Sequence, residues 1–122
     1  MTKSYRDITR SVSASTRKLR ADLPDFMKAW SGFAHAALAG GVLDMKTKEL
    51  IALALGVASH CDACLGYHVQ ALVKLGATRA EVEETLAVAV YMGGGPSLMY
   101  AADALAAWEE LSAPAAPAAA AT

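Results

Sequence analysis

Glycine and proline residues divide this chain into segments that all carry apolar residues at helical spacing. The clearest breaks are Gly40-Gly41, Gly76 and the stretch from Gly93 to Pro96. Glycine is typical of the position just after a helix, and proline of a helix's first turn. No segment shows the alternation of β-branched and polar residues that predicts a strand. The sequence therefore predicts an all-α fold of about six helices.

Start and stop signals give approximate bounds for these helices. In chain order, the predicted helices cover residues 5–20, 24–38, 45–58, 59–76, 78–92 and 96–111. A capping-box pattern in Ser59 and Asp62 is predicted to open the fourth helix, with Cys61 in its first turn. The same pattern in Thr78 and Glu81 is predicted to open the fifth. The second half of the third helix is apolar on all sides, so we expect this helix to be central.

Length and composition favour one domain that associates with copies of itself. We expect a single helical domain over residues 1–111 and a disordered tail over 112–122, where alanine and proline show no periodic pattern. Hydrophobic residues make up 55% of the 122 positions, more than a chain of this size is expected to bury alone. The net charge of −1, from 11 basic and 12 acidic residues, gives no electrostatic reason to expect nucleic acid or an anionic membrane as a partner.

No segment of the sequence is expected to cross a membrane or to direct secretion. The apolar run at residues 50–58 is far shorter than the roughly 20 residues that a membrane-spanning helix needs. Scattered charges and the lack of an apolar core distinguish the first 20 residues from a signal peptide. A cytoplasmic location is therefore expected. There, two neighbouring cysteines are more often catalytic or metal-binding than a structural crosslink.

The two cysteines of the chain, Cys61 and Cys64, lie three positions apart, and His68 follows one helical turn later. On an α-helix these three residues fall within an arc of roughly 60° and share one face. Two thiols at this spacing can close and reopen a disulfide, and a nearby base can help to form the reactive thiolate. The pattern favours a redox-active pair. A metal site and two structural thiols remain alternatives, although zinc sites usually need a second ligand pair further along the chain.

Four other residues near this motif or in apolar surroundings are candidates for a role. Glu49 borders the apolar run of the third helix, and its carboxylate either reaches the surface or is held inside for a purpose. From local pattern alone, the solvated position is preferred. We expect His60 at the rim of the site, and Tyr67 either lines a substrate pocket or packs internally. His35 is expected to be packed or to lie in an interface.

Taken together, Glu49 and the motif Cys61-x-x-Cys64-x-x-x-His68 resemble the core signature of the alkylhydroperoxidase D-like, or carboxymuconolactone decarboxylase, superfamily. The similarity continues through residues 76–78, the acidic helix start that follows, and residues 91–96. It covers roughly residues 20 to 110. The resemblance implies the alkylhydroperoxidase D-like helical fold and assembly into a homotrimer or homohexamer.

The resemblance also implies roles for the individual residues. Cys64 would attack a peroxide and become a sulfenic acid, and Cys61 would resolve it as a disulfide. Glu49 and His68 would form the proton relay that activates the attacking thiol. The best-studied peroxidase members carry a histidine immediately before the second cysteine, where this chain has Ala63. Helix electrostatics alone would instead favour Cys61 as the thiolate, because a helix stabilises negative charge most strongly in its first turn.

These observations lead to one main functional hypothesis and several alternatives. The main hypothesis is a thiol-dependent peroxidase or disulfide oxidoreductase of peroxiredoxin type that uses no cofactor. Its partners would be a small peroxide or disulfide substrate and a thiol electron donor. One alternative is a lyase in which glutamate and histidine perform acid–base chemistry on a lactone, although such chemistry does not need a dithiol. Another is a non-enzymatic redox-sensing or metal-binding module.

Overall fold

A computed structural model describes residues 2–114 and confirms the predicted all-α fold. In chain order, the helices of this range are α1 (Tyr5–Asp22), α2 (Pro24–Leu38), α3 (Met45–Ala58), α4 (Asp62–Lys74), α5 (Arg79–Gly93) and α6 (Gly95–Ser112). Local signals explain most of these bounds. Asp44 accepts a hydrogen bond from the backbone of Thr47 at 2.7 Å and caps α3, and a proline lies in the first turn of both α2 and α6.

The start of α4 differs from the prediction, and the capping box expected at Ser59 is wrong. Ser59 is the C-terminal cap of α3, and its backbone N–H points back to the carbonyl of Leu55. The next residue, His60, has a φ of 55°, a left-handed conformation that interrupts helical hydrogen bonding. Cys61 therefore serves as the N-cap of α4 and lies outside the helix, with Cys64 in the first turn.

The start of α5 agrees with the prediction. The side chain of Thr78 accepts a hydrogen bond from the backbone N–H of Glu81 at 3.1 Å, and the Glu81 carboxylate accepts one from the backbone N–H of Thr78 at 2.8 Å. This reciprocal pair is the predicted capping box. Gly94 separates α5 from α6 with a φ of 72°, a conformation that glycine adopts at little cost.

Four helices, α3 to α6, enclose most of the core, and α1 packs across α4 and α6. By contrast, α2 contacts only α1 and α3 among the described helices, and Met27 is its one buried residue. The largest fully buried side chains of the core are those of Tyr5, Leu53, Val57, Leu65, Val69, Leu72 and Val82. The site-bearing helix α4 is thus fixed in the core, while α2 lies at its edge.

Glu110 of α6 holds the N-terminus of α1 in place. Its carboxylate accepts hydrogen bonds from the backbone N–H of Tyr5 at 2.6 Å, the hydroxyl of Ser4 at 2.8 Å and the backbone N–H of Arg6 at 3.3 Å. Burial by itself would raise the pKa of Glu110, but these hydrogen bonds outweigh burial and leave the pKa below its ordinary value. A carboxylate from one helix thus caps the donors of another.

The prediction that α3 is central holds for only part of its surface. The helix packs against α2, α4, α5 and α6, and Leu53 is fully buried. On another face Ile51 and Leu55 are exposed, and Leu55 retains 61% of its accessible surface. Within a single chain, the apolar side chains in the second half of α3 are therefore buried on one side of the helix and exposed on the other.

Two further features concern the chain as a whole. Within residues 2–114, no helix combines the length and the apolar character that are needed to cross a bilayer. The predicted tail begins at Ser112, which still belongs to α6, and residues 115–122 lie outside the described part of the chain. The division at residue 111 therefore stays a prediction.

Candidate dithiol active site

Cys61 and Cys64 form a disulfide at the start of α4. Their Cα atoms are 5.2 Å apart, as a separation of three residues at a helix start allows. The backbone N–H of Cys64 donates a hydrogen bond to Sγ of Cys61 at 3.2 Å. This N–H is one of the donors that a helix leaves unpaired at its N-terminus. The first cysteine thus occupies a position that favours negative charge on sulfur.

Glu49 is buried, so the solvated position that local pattern preferred for it is wrong. The side chain projects from α3, and only 6% of the residue's surface is exposed. Its Oε2 atom lies 2.6 Å from Nδ1 of His68 on α4. A charge-assisted hydrogen bond of this kind offsets much of the cost of burying a carboxylate. An ionised Glu49 keeps a proton on Nδ1 and leaves Nε2 as the nitrogen available for proton transfer.

Gly56 explains how α3 approaches α4 closely enough for this pairing. It lies on the same face of α3 as Glu49 and Leu53, at helical spacing. A Cβ atom at position 56 would lie 3.2 Å from Cβ of Cys64 and 3.6 Å from Cδ2 of Leu65. The missing side chain therefore allows the backbone of α3 to lie directly against the second cysteine.

A groove of about 840 Å³ opens beside the second cysteine, between α1, α2 and α4. Its lining residues are Val12, Ser13, Thr16, Arg17, Arg20, Met27, Trp30, Ser31, Ala34, Ala63, Cys64, Tyr67 and His68. We call this cavity the Cys64 groove. Cys61 is not among its lining residues, so Cys64 is the cysteine of the pair that a molecule in the groove would contact.

Tyr67 lines the groove and joins α4 to α1. Its hydroxyl donates a hydrogen bond to the backbone carbonyl of Thr9 at 3.0 Å and also contacts the hydroxyl of Ser13. His60 lies outside the groove, exposed and stacked on Tyr100 with ring centroids 4.7 Å apart. His35 is exposed on α2, so it is not packed within the chain.

A charged cluster includes Asp62, the first residue of α4. Nζ of Lys3 lies 3.0 Å from a carboxylate oxygen of Asp62 and 2.9 Å from one of Asp103. Both hydrogen bonds raise the pKa of Lys3, and the one to Asp103 has the larger effect. Burial has the largest effect on Tyr5 and raises its pKa, and the negative charges of Asp103 and Asp62 raise it further. The cluster ties the N-terminal residues to the first turn of α4.

The sequence profile of the Carboxymuconolactone decarboxylase family matches residues 24–107. The chain belongs to this family. The match confirms the superfamily that the Glu49 and Cys61-x-x-Cys64-x-x-x-His68 pattern indicated. It covers α2 to α5 and most of α6, and therefore both cysteines, Glu49 and His68.

Relatives of this carboxymuconolactone decarboxylase family chain include proteins with solved structures. A family member from Legionella pneumophila, solved in its apo form, is 55% identical, with a TM-score of 0.88 over 89% of this chain and 97% of that chain. A family member from Thermotoga maritima, described as a candidate for involvement in antioxidative response, is 34% identical, with a TM-score of 0.65 over 70% of this chain and 88% of that chain. An uncharacterised protein of Cupriavidus necator is 43% identical over 90 residues, which are 74% of this chain and 80% of that protein.

Within the family fold, the structure adds site residues that the sequence analysis did not single out. Arg17 and Arg20 line the Cys64 groove from α1, and Trp30 lines it from α2. They were missed because Arg17 and Arg20 look like the solvated charges of any polar helix, and because Trp30 fits the apolar spacing of α2. The available signal was the spacing of Ser13, Arg17 and Arg20, which places all three on one face of α1.

Within residues 2–114, no group of three or more His, Cys, Asp or Glu side chains is arranged to hold a metal ion.

Proposed function

We propose that this protein is a thiol-dependent oxidoreductase whose Cys61–Cys64 pair reduces hydroperoxides, with Glu49 and His68 as the proton relay. The observation that carries the proposal is the position of Cys64. It belongs to a disulfide-forming pair and lines a substrate-sized groove next to His68, which is hydrogen-bonded to a buried carboxylate. Family membership supports the same chemistry, as does the description of the Thermotoga maritima member.

The first step of the proposed cycle consumes the hydroperoxide. The thiolate of Cys64 attacks the outer oxygen, so that an S–O bond forms and the O–O bond breaks. The leaving alkoxide takes a proton that the His68–Glu49 relay removed from the thiol, and an alcohol departs. Cys64 is then a sulfenic acid. The relay matters because only the thiolate is a good nucleophile at neutral pH.

The second step closes the disulfide, and a third returns the enzyme to its reduced state. Cys61 attacks Sγ of Cys64, an S–S bond forms, and the sulfenic oxygen leaves as water. A dithiol or two monothiols of an electron donor then reduce the disulfide by thiol–disulfide exchange and are themselves oxidised. A reducing compartment such as the cytoplasm would supply that donor, and we place the protein there as part of the proposal.

Self-association is a further part of the proposal. Large apolar side chains remain exposed on the single chain, among them Tyr91 at 85% and Met92 at 78%. Exposed apolar surface on this scale is typical of a protein interface. We therefore propose a homotrimer or homohexamer. Sedimentation equilibrium at micromolar concentration should give that mass, and a monomer would contradict it.

Thiol counting on the reduced protein tests the proposed function directly. One equivalent of hydroperoxide should remove both thiols of each chain and form one equivalent of alcohol, with a mass loss of two hydrogens and no crosslink between chains. A lyase that uses only Glu49 and His68 would keep its activity after both cysteines are blocked. An unchanged thiol count after peroxide treatment would rule out the proposed chemistry.

A further inference from the structure

Among residues 2–114, no acidic partner pairs with the two cationic side chains on the α1 wall of the Cys64 groove. Arg17 and Arg20 line the groove, and none of its lining residues is Asp or Glu. In the part of the chain that the structure describes, no carboxylate forms an ion pair with either guanidinium. Arg20 instead donates a long hydrogen bond of 3.4 Å to the hydroxyl of Ser31 across the groove. The α1 wall of the groove therefore presents positive charge.

The opposite wall of the groove is apolar except for Ser31. Met27, Trp30 and Ala34 line it from α2, and Trp30 retains 55% of its accessible surface. The volume of about 840 Å³ lies within the range of sites that bind drug-sized molecules. Hydrogen peroxide would leave nearly all of this space empty. The groove is suited to a molecule with an apolar body and an anionic group.

We propose that the Cys64 groove selects hydroperoxides of carboxylic acids with an apolar body, and that Arg17 and Arg20 bind the carboxylate. This inference rests on the proposed function, whose substrate class it names. Ser13 contacts Tyr67 on α4, close to the reactive end of the groove. Arg17 and Arg20 follow it by one and two helical turns, about 6 and 10 Å along α1. The peroxide can thus reach Cys64 while the carboxylate pairs with a guanidinium, a strong and geometrically specific interaction.

A matched pair of substrates separates charge from shape. The hydroperoxide of linoleic acid and that of its methyl ester share the same chain and the same peroxide but differ in charge. We expect the acid to oxidise the reduced protein at least about 10-fold faster, because a charge-assisted hydrogen bond contributes about that factor or more. The advantage should shrink as ionic strength rises. Equal second-order rates for acid and ester in stopped-flow measurements would overturn the inference.

Variants of the two arginines assign the effect to these side chains. Arg17→Gln with Arg20→Gln should remove most of the preference for the acid and change the rates of the ester and of tert-butyl hydroperoxide less than about 3-fold. Lys18→Gln is the matched control, because it removes the same charge from a neighbouring position of α1 that does not line the groove. If the double variant slowed all three peroxides equally, the arginines would act on the chemistry and not on recognition of the carboxylate.

A binding measurement keeps this inference separate from the proposed function. Trp30 lines the groove, whereas Trp108 is buried in the core. Quenching of tryptophan fluorescence that disappears in the Trp30→Phe variant therefore reports on binding in the groove. Dodecanoate should quench this fluorescence at a concentration at least about 10-fold lower than dodecanol does, and the double arginine variant should abolish the difference. If no hydroperoxide oxidises the cysteines but this preference remains, the proposed function fails and the anion site stands. If dodecanoate and dodecanol bind equally, the anion site fails whatever the activity.

Discussion

The α3–α4 contact and the α1–α2 wall border the same residue, Cys64, but different interactions hold them. In the first, Gly56 lies directly against Cys64, and buried Glu49 is hydrogen-bonded to His68 at 2.6 Å. In the second, Trp30 is largely exposed, and α2 contacts only two other described helices. Groups that move protons must be held to within a fraction of an ångström, whereas a surface that recognises varied apolar bodies need not be. We therefore propose that the tightly packed side performs the chemistry and that the open side recognises the substrate.

Removal of either cysteine should have the largest effects on the tightly packed side. Cys64→Ser should reduce hydroperoxide consumption to the background rate, because it removes the thiol of the cysteine that lines the groove. Cys61→Ser should allow a single turnover and leave a sulfenic acid on Cys64 that a dimedone-type reagent traps. Mass spectrometry after one equivalent of peroxide distinguishes the two variants. A trapped sulfenic acid on Cys61 in the Cys64→Ser variant would reverse the assigned roles.

Disruption of the relay should have the next largest effect. Glu49→Gln keeps the shape of the side chain but removes the proton acceptor. General-base assistance contributes about 10²–10⁴-fold, so the rate of Cys64 oxidation at pH 7 should fall by at least about 10-fold. His68→Asn should give a similar loss. The double variant should lose much less than the product of the two, since residues that act as a unit are not additive.

Stability measurements provide the control for this experiment. The free energy of unfolding of Glu49→Gln should change little or increase, because an ionised carboxylate is costly to bury. A rate loss that accompanied a large loss of stability would reflect damage to the fold. An unchanged oxidation rate would leave His68 and the start of α4 as the only activating groups.

A pair of glycine substitutions compares the packing of the two regions directly. Gly56→Ala places a Cβ atom 3.2 Å from Cβ of Cys64, and overpacking of this kind should lower the free energy of unfolding by about 1–3 kcal/mol. Gly32→Ala on α2 meets nothing within 4 Å. It should raise the free energy of unfolding by about 0.5–1 kcal/mol through helix propensity. Urea denaturation of the reduced proteins measures both free energies, and a gain in stability for Gly56→Ala as well would show that α3 and α4 can move apart to admit the extra Cβ atom.

A further expected effect of similar size concerns the anchoring of α1 and depends on pH. The folded pKa of Glu110 lies below its ordinary value of 4.5. The stabilisation of the fold by the ionised carboxylate of Glu110 is therefore present above pH 4.5 and is lost as the pH falls through the folded pKa. Glu110→Gln should cost about 1.5 kcal/mol at pH 7, and this cost should decrease toward pH 3.

The neighbouring Glu109 offers a matched control for that titration. Its carboxylate pairs with Arg79 at 2.9 Å on the surface, and exposed ion pairs contribute little to stability. Glu109→Gln should therefore change the free energy of unfolding only slightly at either pH. A pH dependence as large as that of Glu110→Gln would mean that α1 is not held by the specific hydrogen bonds of Glu110.

Local signals explain how far sequence analysis reached. The breaks at glycine and proline and the cap formed by Thr78 and Glu81 act within one turn of the chain, so five of the helix starts could be predicted closely. The pattern at Ser59 failed because the same residue can end one helix or begin the next. The left-handed conformation of His60 decided between them.

The parts of the site that depend on contacts between helices were beyond local pattern. The burial of Glu49 requires His68 on another helix and the missing side chain of Gly56, and only the family resemblance pointed to it. Arg17 and Arg20 belong to a groove only because α2 folds back against α1. Sequence spacing places them on one face of α1 but does not reveal what that face borders.

Because α2 lies at the edge of the fold, the local stability of the groove wall that it forms differs from that of the core. With Met27 as its one buried residue, we expect the helix to detach in a sub-global opening that costs far less free energy than unfolding of the core around α4. Such openings would admit a long-chain molecule sideways while the dithiol and its relay stay assembled. Contact between copies of the chain through the exposed side of α2 would suppress them. Assembly state and substrate entry would then be thermodynamically linked.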